Sequence, residues 1–359
     1  MRGNQVTHSD TGKAAIIDQP ADSADWEIRP YREGDLPAIV ALINMVNTTY
    51  KLNLVTTEEN LRRDFESPRS DPARQVLIVE GPRREGVPGG TILGCGRITY
   101  DDVAETSERI YYPRVVVHPS VERQGLEREI ARRLIEIARE YEADPTFPHM
   151  EKVWLKAYTR EELVPVCELW GAAGMKEVRH FWVMARPLDM PVDEPQLIEG
   201  VNIRTYKRPE DNERAKAAFE NSFSDHWDHH PITQEDWDYW TNTPNTRPDL
   251  SWLAEVEGEP GAIGGFCIIS ISDEENRLKR VREGWIELLG TTAEWRRKGL
   301  GRALLLHGLH SLRSAGIEVA LLGVDSQSLT GANRLYESVG FRLRSRELQQ
   351  ECMLDEIKL

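Results

Sequence analysis

The sequence predicts an α/β protein built as two tandem domains, each a mixed, mostly antiparallel sheet with a parallel pair of strands and flanking helices. Three observations carry that prediction. The chain has 359 residues, whereas a single hydrophobic core stops growing near ~250–300. It repeats itself at a spacing close to half its length. In the second copy a strand, an amphipathic helix and an almost wholly apolar strand follow in order, the pattern of a right-handed crossover between parallel strands.

The repeat is legible along the chain. Ile28-Arg29-Pro30-Tyr31 returns as Ile203-Arg204-Thr205-Tyr206, each leading into a helical stretch, Leu36 to Val46 and then Asn212 to Phe223. Val115-Val116-Val117-His118-Pro119 runs into a helix near Gly125, and Ile286-Glu287-Leu288-Leu289-Gly290 into one near Gly299, 174 positions later. Leu169-Trp170 with Gly174-Met175 is echoed by Leu335-Tyr336 with Gly340-Phe341. Between the copies, Arg186 to Gly200 carries three prolines and no apolar period, as a linker does. The expected organisation is a polar, flexible tail over 1–25, a first domain over 26–186, a linker over 187–200 and a second domain over 201–359.

Within the second copy, strands are expected near 202–206, 251–257, 261–272, 279–292, 318–324, 341–345 and 350–357. Helices fall between them. Leu300, Leu304, Leu305, Leu309 and Leu312 recur at helical spacing and make one apolar face. Val319-Ala320-Leu321-Leu322-Gly323-Val324 then reads as a strand covered on both sides.

Composition narrows the function classes. With 40% hydrophobic and 29% charged residues the chain is globular. Its formal net charge of -15 argues against a nucleic-acid or anionic-membrane partner and is compatible with an amine-bearing substrate. Cys95, Cys167, Cys267 and Cys352 have no C-x-x-C spacing and sit singly in apolar or helical stretches, as reduced thiols do. No apolar run is long enough to span a membrane and no secretory signal opens the sequence, so the expected location is the cytoplasm. Nothing in the residues sets the oligomeric state.

The chemistry concentrates in Trp295-Arg296-Arg297-Lys298-Gly299-Leu300-Gly301-Arg302-Ala303. A glycine-bearing helix start exposes unpaired backbone N–H groups to an incoming phosphate, and the basic residues add charge. The loop lacks the spacing of a P-loop or a dinucleotide fold, so by itself it reads equally as a basic turn. Its setting adds more. Arg296, Gly299 and Gly301 match Q/R-x-x-G-x-G/A, and Leu335 to Phe341 match L-Y-x-x-x-G-F. In these motifs, and in the repeat, the chain resembles a tandem member of the GNAT superfamily of N-acetyltransferases.

The resemblance implies acetyl-CoA as cosubstrate, no metal, and a central parallel pair that splays. It places the cosubstrate against Leu289, Thr291, Arg296, Arg297, Lys298, Gly299, Leu300, Gly301, Arg302 and Ser328. The last stands where the family commonly has Asn. It implies that Tyr336 protonates the departing thiolate; as a residue type Tyr336 also reads as a half-buried aromatic. Glu287 is an acid in an otherwise apolar strand, so it is either a general base with a raised pKa or the partner of a neighbouring Arg, with Glu283 in reserve. Asp225, His226 and Trp227 fall in the region that covers the acceptor in this family, where acid and aromatic groups suit a cationic amine. The histidines at 226, 229 and 230 have no matching second set for a metal.

The first copy breaks the pattern. Glu122 stands where Arg296 does, Glu127 where Gly301 does, and Trp170 where Tyr336 does. Two carboxylates at a helix start repel a pyrophosphate, so the first domain is expected to keep the fold without catalysis. A shifted register using Arg123 and Gln124 is the alternative. The expected function is direct acetyl transfer to a primary amine of a small molecule by the second domain. A protein N-terminal or lysine acetyltransferase is the alternative enzyme, and a noncatalytic acyl-CoA-binding scaffold the alternative class.

Overall fold

A computed structural model describes residues 26–81, 91–328 and 331–359. The expected tail over 1–25 lies outside the described residues. The first copy comprises β1 (Glu27–Pro30), α1 (Leu36–Thr49), α2 (Glu58–Phe65), α3 (Pro72–Gln75), β2 (Val76–Glu80), β3 (Ile92–Val103), β4 (Glu108–Val117), α4 (Leu126–Ala143), β5 (Lys152–Arg160), α5 (Val164–Ala172) and β6 (Lys176–Pro187). The second repeats it as β7 (Val201–Thr205), α6 (Asn212–Phe223), α7 (Gln234–Thr241), β8 (Trp252–Val256), β9 (Ile263–Ser270), α8 (Asp273–Lys279), β10 (Glu283–Thr291), α9 (Leu300–Ser314), β11 (Val319–Asp325), α10 (Ala332–Ser338) and β12 (Arg342–Met353). Residues 188–200 between them form neither helix nor strand.

One continuous twelve-stranded sheet runs through both copies in the order β1-β2-β3-β4-β5-β12-β6-β11-β10-β9-β8-β7. The copies have exchanged their last strands. β12 pairs with β5 of the first copy, and β6 pairs with β11 of the second. Packing follows the exchange: Cys352, Leu354 and Ile357 sit in the first copy's core with α4, while Met184, Leu188 and Val192 sit in the second copy's core with α9. Segment 26–186 therefore does not close its own sheet. Its boundary in sequence falls within β6, a strand that the second copy uses.

The long helix of each copy is the crossover between its parallel strands. Leu300, Leu304, Leu305, Leu309 and Leu312 of α9 are all fully buried, each contributing about 1.5–3 kcal/mol of transfer free energy. Two parts of the expected strand pattern differ. The strands expected at 341–345 and 350–357 are one, β12, which shifts register at Leu343/Ser345 and Gln349/Gln350. Its polar middle reads as a loop in sequence, yet it forms the seam between β5 and β6. The strand expected to begin near 279 begins at Glu283, because Ser272 accepts a hydrogen bond from the Glu275 amide and caps α8.

Candidate active site

The two parallel strands of the second copy part company at one residue. β10 pairs with β11 only from Glu283↔Val319 to Ile286↔Leu322, and a bulge at Glu287 interrupts the β9 register between Ile286 and Leu288. Beyond it β10 follows β9 and β11 follows β6. The gap opens into a cleft of about 1010 Å³ lined by Leu289 to Thr291, Val324, Asp325 and the starts of α9 and α10.

At the floor, Arg297 has φ 60° and Gly299 has φ 85°, left-handed values that turn the chain into α9. No side chain caps this helix start, so its first-turn N–H groups remain available to an anion. Gly301 is not demanded by packing. A Cβ there would meet Thr291 and Leu335 only at 3.6 and 3.8 Å, ordinary contact distances. What glycine leaves is a helix start that carries no side chain beyond the backbone, which fits a pyrophosphate.

The other expected site residues distribute unevenly. Glu287, Leu289, Thr291, Arg296, Arg297, Gly299, Gly301, Arg302, Ser328, Tyr336, Asp225, His226 and Trp227 all line the cleft. Lys298 does not, stacking instead over the Trp295 ring at 4.6 Å. Leu300 is wholly buried in the core, so only its backbone faces the loop. Asp225 holds Arg296, with contacts of 2.5 and 2.8 Å, and this pairing keeps the Asp225 carboxyl below its usual range. It is thus tied to Arg296 in the loop before α9 rather than free for an acceptor. Trp227 lies 4.7 Å from the Arg179 guanidinium, and Arg302 pairs with Asp193 at 2.6 Å.

Among the described residues Glu287 has no cationic partner, and its one hydrogen bond comes from the Ser270 hydroxyl. It is open to the cleft but enclosed by protein, and that desolvation raises its pKa against the pull of Ser270. The Arg-paired role falls to Glu283, which is buried between Lys279 at 3.0 Å and Arg344 at 2.5 Å. Tyr336 projects from α10, buried, with its phenol pushed up by burial so that it stays protonated. Burial also pushes the His226 imidazole below its ordinary value.

Sequence reasoning missed part of the wall. Tyr158, Phe181, Trp182 and Glu347 line the cleft, and they come from β5, β6 and β12, which the exchange brings together. Ser270 was equally hidden, since only the bulged register places it beside Glu287.

The first copy reuses the loop backbone. Arg123 has φ 60° and Gly125 φ 91°, but the Glu127 carboxylate folds back and accepts the Arg123 amide at 2.8 Å. Glu122 accepts from the Tyr50 hydroxyl. Both acids are engaged internally rather than standing free, and Trp170 is fully buried.

Comparison with known proteins agrees with this geometry. The profile of the Acetyltransferase (GNAT) family matches residues 212–341. Mycothiol acetyltransferase of Thermomonospora curvata is 33% identical over 80% of this chain and 88% of its own length. The chain belongs to the GNAT family of acetyltransferases. As a GNAT enzyme it is an acetyl-CoA-dependent N-acetyltransferase. Two solved structures share the fold: a GCN5-related N-acetyltransferase from Sphaerobacter thermophilus (TM-score 0.72, 24% identity, 92% of this chain and 96% of that one), and a tandem GNAT protein from the clavulanic acid biosynthesis pathway (TM-score 0.67, 14% identity, 92% and 98%). Among the described residues of this tandem GNAT, no helix is long and apolar enough to cross a membrane.

Proposed function

We propose that the second copy transfers acetyl directly to the primary amine of a small molecule, and that the first copy carries no catalysis. The observation behind this reading is the convergence of an uncapped glycine helix start, Glu287 and Tyr336 on one cleft. Arg296, Arg297 and the first-turn N–H groups of α9 hold the pyrophosphate of acetyl-CoA, with Ser328 along its arm. When bound, acetyl-CoA supplies the thioester that donates the acetyl group.

The protein's own groups do the rest. Glu287, its pKa raised by burial, takes a proton from the acceptor's ammonium before attack or from its amine during attack, directly or through water. Backbone N–H groups near Leu289 to Thr291 stabilise developing negative charge on the carbonyl oxygen, an arrangement worth roughly 3 kcal/mol. Tyr336 keeps its proton until the sulfur departs. His226 and Trp227 shape the acceptor side of the cleft. The small-molecule acceptor finds support in the relatives, whose name specifies mycothiol as the acetylated species.

The test is acetyl-CoA turnover against a panel of small amines and a panel of peptides with free N-termini or lysines, read as free thiol. Turnover confined to the small amines is expected. Turnover on peptides alone rejects the small-molecule reading, and two acetyl-CoA molecules bound per chain by native mass spectrometry rejects the assignment of one working copy.

A further inference from the structure

A second chamber of about 830 Å³ lies between the sheet face of the first copy and the α7 region of the second. Most of its charges are matched. Arg69 holds Asp101 at 2.6 Å and Asp236 at 2.9 Å, Lys156 holds Asp228 at 2.5 Å, and Arg109 holds Asp102 at 2.6 Å. Arg97 donates through Nη2 to the Asp64 carbonyl and, at 3.4 Å, to the Ser67 hydroxyl, but it reaches the Asp64 carboxylate only at 3.9 Å and its Nε is buried without a hydrogen-bond partner. Arg114 and Glu347 line the chamber, and none of the hydrogen bonds or ion pairs among the described residues involves either side chain.

The two arginines share one edge of this space, Arg97 half-buried and Arg114 exposed. Arg97 and Arg114 are direct cross-strand partners on β3 and β4, and like charges in that relation repel. Burial lowers the Arg97 pKa, and the charge of Arg114 lowers it further. The internal repeat shows what the fold prefers at these positions. Gly94↔Val117 in the first copy corresponds to Gly265↔Thr291 in the second, so Arg97 and Arg114 correspond to the register pair Ile268 and Leu288. An apolar pair in one copy is thus two guanidiniums facing a chamber in the other, in a chain of net charge -15. An arginine cannot shed its charge when desolvated, and its fork matches carboxylate and phosphate.

We propose that Arg114, with Arg97 beside it, binds an anionic group of the acceptor, so that the substrate is an amine that also carries a carboxylate or a phosphate. This rests on the small-molecule acceptor reading above. The chambers communicate: Tyr158 and Glu347 border both. A ligand anchored at Arg114 therefore passes Glu347 on its way to Glu287. Glu347, which makes no hydrogen bond or ion pair among the described residues but lies within electrostatic reach of Arg114 and Arg160, accepts a hydroxyl or ammonium hydrogen bond from the same ligand.

The experiment compares three probes by calorimetry on the full chain in the presence of CoA: glucosamine, glucosamine 6-phosphate and L-glutamate. A charge-assisted fork is expected to make one anionic probe bind at least about tenfold more tightly than glucosamine. The phosphate and carboxylate arms separate the two sources of charge. Arg114→Gln removes the advantage, Arg114→Lys restores part of it, and acetyl-CoA affinity stays unchanged in both. Anionic probes that bind no better than glucosamine, or an advantage that survives Arg114→Gln, overturn the proposal. If no amine is acetylated while the Arg114-dependent binding persists, the acceptor reading fails and the anion site stands. If anion-free amines are acetylated equally by wild type and Arg114→Gln, the anion site fails and the acceptor reading stands.

Discussion

The starts of α4 and α9 have nearly the same backbone and opposite contents. Pro119–Val121 and Ala293–Trp295 are matching short 3-10 turns, followed by Arg123 and Arg297 at φ 60° and by Gly125 and Gly299 at φ 91° and 85°. In α4 the Glu127 side chain supplies an anion from within the protein and consumes the Arg123 N–H. In α9 the corresponding position has no side chain. The comparison teaches that the fold delivers the same backbone turn twice, filled by a carboxylate of the chain at Glu127 and left without a side chain at Gly301.

Making the second loop like the first gives the largest expected effect. Gly301→Glu is expected to abolish acetyl-CoA binding while leaving the fold intact, since the nearest neighbours leave room for a Cβ and an acid in the first helical turn is favourable. Calorimetric titration alongside circular dichroism checks both parts, and unchanged affinity in the folded variant would end the assignment.

Next is the aromatic residue that differs between α5 and α10. Tyr336→Phe is expected to lower kcat by about 10²–10⁴ with little change in acetyl-CoA affinity. Steady-state kinetics on an accepted amine decide it, and wild-type turnover would leave Tyr336 as packing like Trp170.

The third comparison is between Glu287 and Pro113, its counterpart at the same register in β4. A base must be unprotonated, and burial raises the Glu287 pKa from its ordinary 4.5. Activity is therefore expected to rise with pH through an apparent pKa above 4.5 and to be lost below it. Glu287→Gln should lower kcat/KM by about a hundredfold and remove that limb; a pH profile unchanged in the variant would exclude Glu287.

The smallest effect concerns a feature both copies share. Arg29 binds Asp35 and Glu80, and Arg204 binds Asp211 and Glu255, the same ion triad at the same place. Burial alone would raise Asp211, but Arg204, the Lys207 amide and Arg214 outweigh it and hold it at about 2. Its folded pKa lies below the ordinary 3.8, so this stabilisation, about 2 kcal/mol, is present above pH 4 and lost as pH falls toward 2. Asp211→Asn should flatten that acid limb in denaturant titrations. Asp35→Asn should do so less, since Asp35 has one arginine donor where Asp211 has two.

The sequence by itself determined the repeat, the α9 leucine face, the glycine loop and the aromatic in L-Y-x-x-x-G-F, because each is a local pattern whose spacing is set by helix or strand period. It also marked Glu287 by its misfit in an apolar run. It did not determine which strands pair. β6 and β12 carry similar local signals in both possible partnerships, and hydrogen-bonded register between segments more than 130 residues apart leaves no trace in either segment alone. Only the tertiary structure decided that exchange. With it came Tyr158, Trp182 and Glu347 in the cleft, Ser270 rather than an arginine beside Glu287, and the face-to-face arginines of β3 and β4. Those are contacts between elements, fixed by the sheet's single solution for burying both cores at once.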